Sequence, residues 1–363
     1  MTAHPRYVPG FALTLDGRPA PPALRTLITA VRFEEALEGA NRVEVTLAVP
    51  DPGLLDHPLL DLDVRLGLAL GHHPSPLTSV FAGTTTGVEP AFPPTGLPEL
   101  LLSAHDATSR LSAGSRERGF PHYLTDSAVA ALVAAENGLL KTPDPESAAL
   151  TGAAALLTRR PRFQHKESDY DFLRRIAAEY GFDLWVDGDF LNLRMSRPRL
   201  PAPELELRWG SSLLEFSPRA GTIGQVARVQ VRVWVEQLKT QFSVEAGWDG
   251  ERLRTRVRPV LLLDRDSAPS GPAQVSVGLP DVPLDSPYEA IRYAVGELRR
   301  RLNSRVTASG STLGDPRFRV GRTLAVRGVG RRFSGDGYRL TGVTHTLDTR
   351  GYRTSFRARQ EVV

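Results

Sequence analysis

The sequence predicts a mainly β, α+β chain with a helical segment at its middle, and three observations carry that prediction. Runs with strict polar/apolar alternation lie in both end regions. The period turns helical between residues 107 and 197, and prolines and glycines punctuate the connections. With 363 residues, the chain is long enough for two or three folding units with their own cores.

The first hundred residues read as short strands. Arg42-Val43-Glu44-Val45-Thr46-Leu47-Ala48-Val49 alternates and stops at Pro50-Asp51-Pro52-Gly53, as a half-buried strand ended by turn residues does. Val64 to Leu68 alternates as well, followed by Val80-Phe81-Ala82-Gly83, a strand through Val88, and Leu100 to Ala104. This is antiparallel β, a small barrel or sandwich over residues 1–106.

From residue 107 to 197 an α/β unit is expected. Asp126 or Ser127 caps a helix with apolar residues Val129, Leu132 and Val133, and Asn137-Gly138 supplies the stop. Residues 141–160 read as a loop and a short helix. Ser168 with Asp171 resembles a capping box, Phe172, Leu173, Ile176 and Tyr180 form one apolar face, and Gly181 ends the helix. Phe182 to Val186 and Phe190 to Arg194 then read as a hairpin around Asp187-Gly188-Asp189.

Strands dominate again over residues 198–363: Leu205 to Trp209, Leu213 to Phe216, the long run Ala227 to Val235, Thr323 to Arg327, Tyr338 to Leu347 and Tyr352 to Arg359. One amphipathic helix, about 286–303, interrupts them, with Ser286-Pro287-Tyr288-Glu289 as its capping box and Ile291, Ala294, Val295, Leu298 and Leu302 as its buried stripe. Phe81-Ala82-Gly83 and Phe333-Ser334-Gly335 occupy similar places in the two β regions. A duplicated barrel and a chance match both account for them.

Composition excludes several chemistries. With no cysteine there is no disulfide, thiolate zinc site or cysteine nucleophile. No stretch approaches the roughly 18 apolar residues of a membrane span, and Met1 to Gly17 lacks the pattern of a secretory leader. The net charge is +4, carried almost wholly by arginine, with Lys141, Lys166 and Lys239 the only lysines. Arg299-Arg300-Arg301, the densest cluster, sits late in a helix where the dipole favours it, so no nucleic-acid footprint is read from it.

No nucleophile elbow, P-loop or metalloprotease motif occurs. His72 and His73 are adjacent and point apart, and His105, His165 and His345 are assigned structural hydrogen bonds. Asp169 and Asp171 are read as helix-start carboxylates rather than a glycosidase pair. Trp209 and Trp234 lie in strand patterns and read as packed, Trp185 lies in the hairpin, and Trp248 beside Gly247 reads as an exposed loop residue. No catalytic, cofactor or metal residue is assigned, and the chain is not expected to be an enzyme.

The segment Phe163-Gln164-His165-Lys166-Glu167-Ser168-Asp169-Tyr170-Asp171-Phe172-Leu173-Arg174-Arg175-Ile176-Ala177-Ala178-Glu179-Tyr180-Gly181-Phe182 is similar to the signature of the phage late control protein D group of tail hub proteins. That group is related to the N-terminal part of type VI secretion VgrG spikes. Val80 to Gly83, His105 to Leu111, and Phe333 through His345 to Phe356 agree in the same order, so the resemblance covers nearly the whole chain. It implies two tube-protein-like antiparallel β-barrels with a small α/β insert between them, in a baseplate hub of a contractile phage tail or injection system. It further implies a homotrimer whose six barrels match a hexameric tail tube protein above and a trimeric spike protein below. Other baseplate proteins are implied as partners, and neither a membrane nor specific nucleic acid is expected to be one.

The chain ends at Val363 without the oligosaccharide-binding fold and β-helix of VgrG spikes, so the spike is expected to be a separate chain, and no lysozyme domain is present. Assembly in the bacterial cytoplasm and incorporation into the particle are expected. The competing readings are a carbohydrate- or nucleic-acid-binding module, hinted at by Trp248 and the arginine excess, and a peptidoglycan-processing enzyme, which needs an acid pair in a cleft.

Overall fold

Alternation at both ends of the chain buries one face of each strand and so curls the strands around apolar cores. The computed structural model describes residues 8–158, 161–195, 203–221, 228–235, 240–249, 254–261, 275–276 and 287–361. The first half contains β1 (Val8–Leu15), β2 (Arg18–Pro19), α1 (Pro22–Arg25), β3 (Ile28–Ala36), β4 (Arg42–Ala48), β5 (Arg65–His73), β6 (Thr78–Ala91) and β7 (Glu99–His105). In β4, Val43, Val45 and Leu47 are buried while the intervening residues are half exposed. The strands run in the order β1-β5-β6-β7-β4-β3, with β2 appended to β1, around a core that includes Leu15, Phe33, Leu68 and Leu102. Leu24 of α1 and Leu60 of a 3-10 turn fill that core from outside the sheet.

The insert follows as α2 (Thr108–Ser112), β8 (Arg116–Phe120), α3 (Asp126–Glu136), β9 (Leu140–Lys141), α4 (Pro145–Thr158), β10 (Arg162–Glu167), α5 (Asp169–Tyr180), β11 (Phe182–Asp187) and β12 (Phe190–Met195). Thr125 caps α3 by accepting from the Ala128 amide at 3.1 Å, so Asp126 and Ser127 are not the caps expected from sequence. Asp126 instead enters an ion pair. Val129 and Val133 are buried but Leu132 is 46% exposed, so the helix turns a narrower face inward than its apolar residues suggest. The soft stretch after Lys141 is mostly the 14-residue helix α4.

Next come β13 (Leu205–Arg208), β14 (Leu213–Ala220), β15 (Arg228–Val235), β16 (Thr240–Asp249), β17 (Arg254–Leu261), β18 (Val275–Ser276), α6 (Pro287–Asn303), β19 (Val306–Leu313), β20 (Thr323–Arg327), β21 (Gly335–Asp348) and β22 (Gly351–Gln360). The alternating run 227–235, whose first residue lies outside the described residues, does not pair with the barrel strands. Its strand β15 joins β16, β17 and β18 in a separate sheet against which α6 packs Ala290, Ala294 and Leu298. Ser286 of the expected capping box also lies outside the described residues.

The remaining six strands repeat the first half. Numbered 1 to 6 along the chain, β1, β3, β4, β5, β6 and β7 lie in spatial order 1-4-5-6-3-2, and β13, β14, β19, β20, β21 and β22 lie in that same order. Irregularities coincide too. The pairing of strands 5 and 6 slips at Thr85/Gly87 in one barrel and Leu340/Gly342 in the other, and that of strands 2 and 3 slips at Ile28/Ala30 and Leu213/Glu215. Asp63 N–H donates to Thr85 O and Thr85 N–H to Val64 O, just as Gly321 N–H donates to Leu340 O and Leu340 N–H to Arg322 O, all at 2.9 Å. Asp63 and Gly321 both have positive φ, at 62° and 82°.

Shared bulges and turn bonds are strong evidence of duplication, because they record backbone geometry rather than composition. They also correct the sequence match. Gly87 corresponds to Gly342, so Phe81-Ala82-Gly83 and Phe333-Ser334-Gly335 are out of structural register. The copies differ at one pairing, β1 being antiparallel to β5 and β13 parallel to β20.

The two barrels share backbone hydrogen bonds. The first half of β21 pairs with β20, and beyond the bulge Gly342 to Leu347 pair instead with Ala36 to Val31 of β3. One 13-stranded sheet therefore spans both copies.

Candidate functional site

The signature segment builds a buried polar junction rather than a cleft with an acid pair. Ser168 Oγ accepts from the Asp171 amide at 3.0 Å and donates to Asp171 Oδ2 at 2.7 Å, and Gly181 closes α5 at φ 68°. Phe172, Leu173, Ile176 and Tyr180 are all buried, as the helical spacing requires. Asp169 is more than a helix-start charge. It is 3% exposed and accepts from Arg118 at 2.8 Å, Gln164 at 2.9 Å and Asn137 at 2.8 Å, fastening β8, β10 and α3 to α5. Asp171 turns to Ser168, so the two carboxylates diverge.

A second network surrounds Arg162. Its guanidinium holds Asp126 at 2.7 and 2.8 Å and Glu179 at 3.0 and 2.7 Å, and Arg292 of α6 adds a 2.6 Å bond to Glu179. Tyr180 donates its hydroxyl to Asp126, and Arg292 lies 4.2 Å above the Tyr180 ring. Burial alone would raise the Asp126 carboxyl, but hydrogen bonds and charge from Arg162 outweigh it and hold the pKa below its ordinary value. Burial raises the Tyr180 phenol. These groups bond chiefly to one another and so brace α3, β10, α5 and α6 together.

A third set joins the insert to both barrels. Arg319 donates twice to Glu35 of β3, both at 3.0 Å, and once to Asp187 of β11 at 2.8 Å, while the Val320 amide adds 2.9 Å to Glu35. Burial raises the Glu35 carboxyl against the pull of Arg319. Arg359 of β22 bonds Asp183 at 2.7 Å and Glu361 at 2.9 Å. Tyr170 Oη accepts from the Gly39 amide at 2.7 Å, and Asn41 Nδ2 donates to Val186 O at 3.1 Å. Trp185, 7% exposed, enters the core of the second barrel beneath Arg339.

His345 lies in β21 at the seam between the barrels, 1% exposed and stacked 5.9 Å from the Phe33 ring. Nε2 must donate to Phe318 O at 3.0 Å, so Nδ1 accepts from the hydroxyls of Tyr352 and Thr354 at 2.9 and 3.0 Å. Burial holds its pKa down to about 4. His105 bonds Thr86 at 2.6 Å and exposed His165 meets Glu117 at 3.1 Å. The His72 ring lies 5.4 Å from the Tyr352 ring at a tilt of 33°, and His73 lies against Gly10. Among the described residues no three His, Asp or Glu side chains converge as a metal site would require.

Trp209 is 53% exposed, not packed as the strand pattern suggested, because it falls just past β13 at the turn into β14. The side chains of Trp234 and Trp248 lie outside the described residues. Arg300 and Arg301 both pair with Glu297 one turn back, the first at 2.6 Å; the Arg300 side chain is exposed, while those of Arg301 and Glu297 are largely covered. Sequence reasoning missed Glu35, Asp126, Arg162 and Arg319 as a brace, since their partners lie far off in the chain. The one available signal was Glu35 at an inward position of an alternating strand.

A duplicated barrel with a helical insert, braced by buried arginine–carboxylate networks, defines the class of this protein by its fold. The chain has the fold of phage tail proteins and of VgrG-like type VI secretion components. A 43 kDa tail protein of prophage MuSo2 from Shewanella oneidensis superposes with TM-score 0.67 at 12% identity, over 96% of this chain and 98% of that one. A tail protein from Neisseria meningitidis gives 0.65 at 14%, over 98% and 97%. The E. coli c3393 protein, a component of the type VI secretion system with structural similarity to the T4 tail proteins gp27 and gp5, gives 0.59 at 12%, over 96% and 76%. No family model and no curated protein sequence matches the chain.

Proposed function

We propose that this chain is a structural hub in the baseplate of a contractile phage tail or of a related injection machine, where three copies adapt a six-fold tail tube to a three-fold spike. The observation that carries the reading is the duplication. Two barrels of one strand order in each chain give six pseudo-equivalent barrels in a trimer, so a single ring presents approximate six-fold symmetry on one side and true three-fold symmetry on the other. Tail and VgrG-like structures that share the fold along nearly the whole chain support it.

The domain division follows: a first barrel over 1–106, an insert over 107–197 and a second barrel with its excursion over 198–363. The work of such a part is done by shape and by broad interfaces, on the order of thousands of Å² per pair of subunits. Catalysis has no role in it. The partners are a tube protein, a separate spike protein and neighbouring baseplate proteins, met in the particle after assembly in the bacterial cytoplasm. The test is the mass of the purified protein over a concentration series, alone and with candidate tube and spike proteins. A trimer, or a monomer that trimerises on adding the spike, is expected; a monomer indifferent to both partners overturns the reading.

A further inference from the structure

The seam within the chain shows how one barrel meets the next. Strand 2 of the first barrel, β3, lies against strand 5 of the second, β21, and only beyond the bulge at Leu340/Gly342, where β20 no longer covers the edge. The same bulge occurs in β6 at Thr85/Gly87. On the β5 side, pairing ends with the bonds of Thr85 to Asp63 and Val64, and among the described residues no strand covers the edge from Gly87 to Ala91. These residues are half or fully exposed. Strand 2 of the second barrel, β14, pairs with β19 on one side, and no described strand pairs with its other edge along 214–220. Among the described residues, one chain therefore carries an occupied joint and, on the equivalent strands, an uncovered acceptor edge and an uncovered donor strand.

We infer that β14 of one copy lies antiparallel against residues 87–91 of β6 in the next copy, repeating between chains the joint that β3 and β21 make within one. The inference deepens the ring reading above, because a head-to-tail contact repeated from barrel to barrel is what closes a ring. The bulges fix the register. Thr344 pairs with Glu34 inside the chain, and the equivalent residues are Glu89 and Arg219. Both are exposed, and they carry opposite charges. Pro90 and Pro218 take the places of His345 and Phe33 and supply no ladder bond at that step. The joint between chains is therefore weaker than the seam within one, and an edge bearing proline resists pairing with unrelated strands.

The absence of cysteine makes the test clean, since oxidation can join only introduced thiols. Glu89→Cys and Arg219→Cys, combined in one chain, are oxidised under conditions where the protein, alone or with its spike, has an oligomeric mass. The expected product is a covalent ladder up to three chain masses on a denaturing gel. Glu34→Cys with Thr344→Cys is the control and closes inside the chain with no change of mass. Reversing one charge, by Glu89→Arg or Arg219→Glu, is expected to raise the concentration needed for assembly at least several-fold, and the double reversal to restore it. An oligomer that yields no ladder while the control closes overturns this joint and leaves the hub reading standing. A protein monomeric at every concentration, with and without tube and spike, overturns both.

Discussion

Arg162, just before the signature segment, illustrates how this region serves stability. Its guanidinium is shared between Asp126 and Glu179, and removing it leaves the buried Asp126 carboxylate with the Tyr180 hydroxyl but no cation bonded to it, while Glu179 keeps Arg292. Arg162→Ala is expected to cost about 3–5 kcal/mol in urea unfolding, chiefly from that stranded charge. Two other buried groups contribute to the acid response with opposite signs. His345 has its folded pKa held down to about 4, so its contribution is complete above about 6.5 and is lost as pH falls towards 4, to an extent of ~3 kcal/mol. Asp106 is pushed up to about 6 by burial and acts with the opposite sign, disfavouring the fold as pH rises from about 4 to 6. The two slopes oppose each other. Asp106→Asn should therefore lose stability more steeply than the parent between pH 6.5 and 4, while His345→Gln should lose it less steeply, as read by denaturant melts across that range.

At the scale of elements, the crossing of α5 and α6 depends on two glycines. A Cβ on Gly181 would stand 2.8 Å from Gly296 Cα, and one on Gly296 would stand 3.0 Å from Gly181 N. Gly181 has φ 68° besides, so Gly181→Ala carries both a steric and a conformational penalty, expected at about 1–3 kcal/mol or more. Gly152, inside α4 with open space around its Cβ position, is the contrasting case. Gly152→Ala is expected to stabilise by about 0.5–1 kcal/mol, and the opposite signs in thermal melts check the argument. The Gly181 stop was legible in sequence as a helix end. Its second duty, admitting α6, was not, because Gly296 lies over a hundred residues on.

At the scale of the whole molecule, the insert is held to the barrels by Trp185 and a rim of charged pairs. Trp185→Ala is expected to cost about 3–5 kcal/mol by emptying the end of the second barrel's core. If Trp185 were only an ornament of the hairpin, the variant would unfold in urea at the parent's midpoint. The continuous sheet makes the barrels one mechanical unit, since separating them breaks the β3–β21 ladder and exposes His345 and Phe33. That rigidity suits the proposed role of holding two symmetries in register.

The sequence by itself determined the local events: the alternating strands β4, β15 and β22, the Ser168 cap and Gly181 stop of α5, the hairpin of β11 and β12, and the mainly β class. Each follows from neighbours within a few residues, through periodicity, capping and turn geometry. It also pointed to a duplication, by a motif that the structure shows out of register. Only the tertiary structure decided that β15 leaves the barrel for its own sheet, that Asp126 pairs rather than caps, that Trp209 faces solvent, and that β3 crosses to β21. The Asp126 pairing depends on a partner 36 residues away, and the β3 crossing on one more than 300 residues away. The alternation of one strand specifies which face is buried and leaves open which strand lies beside it.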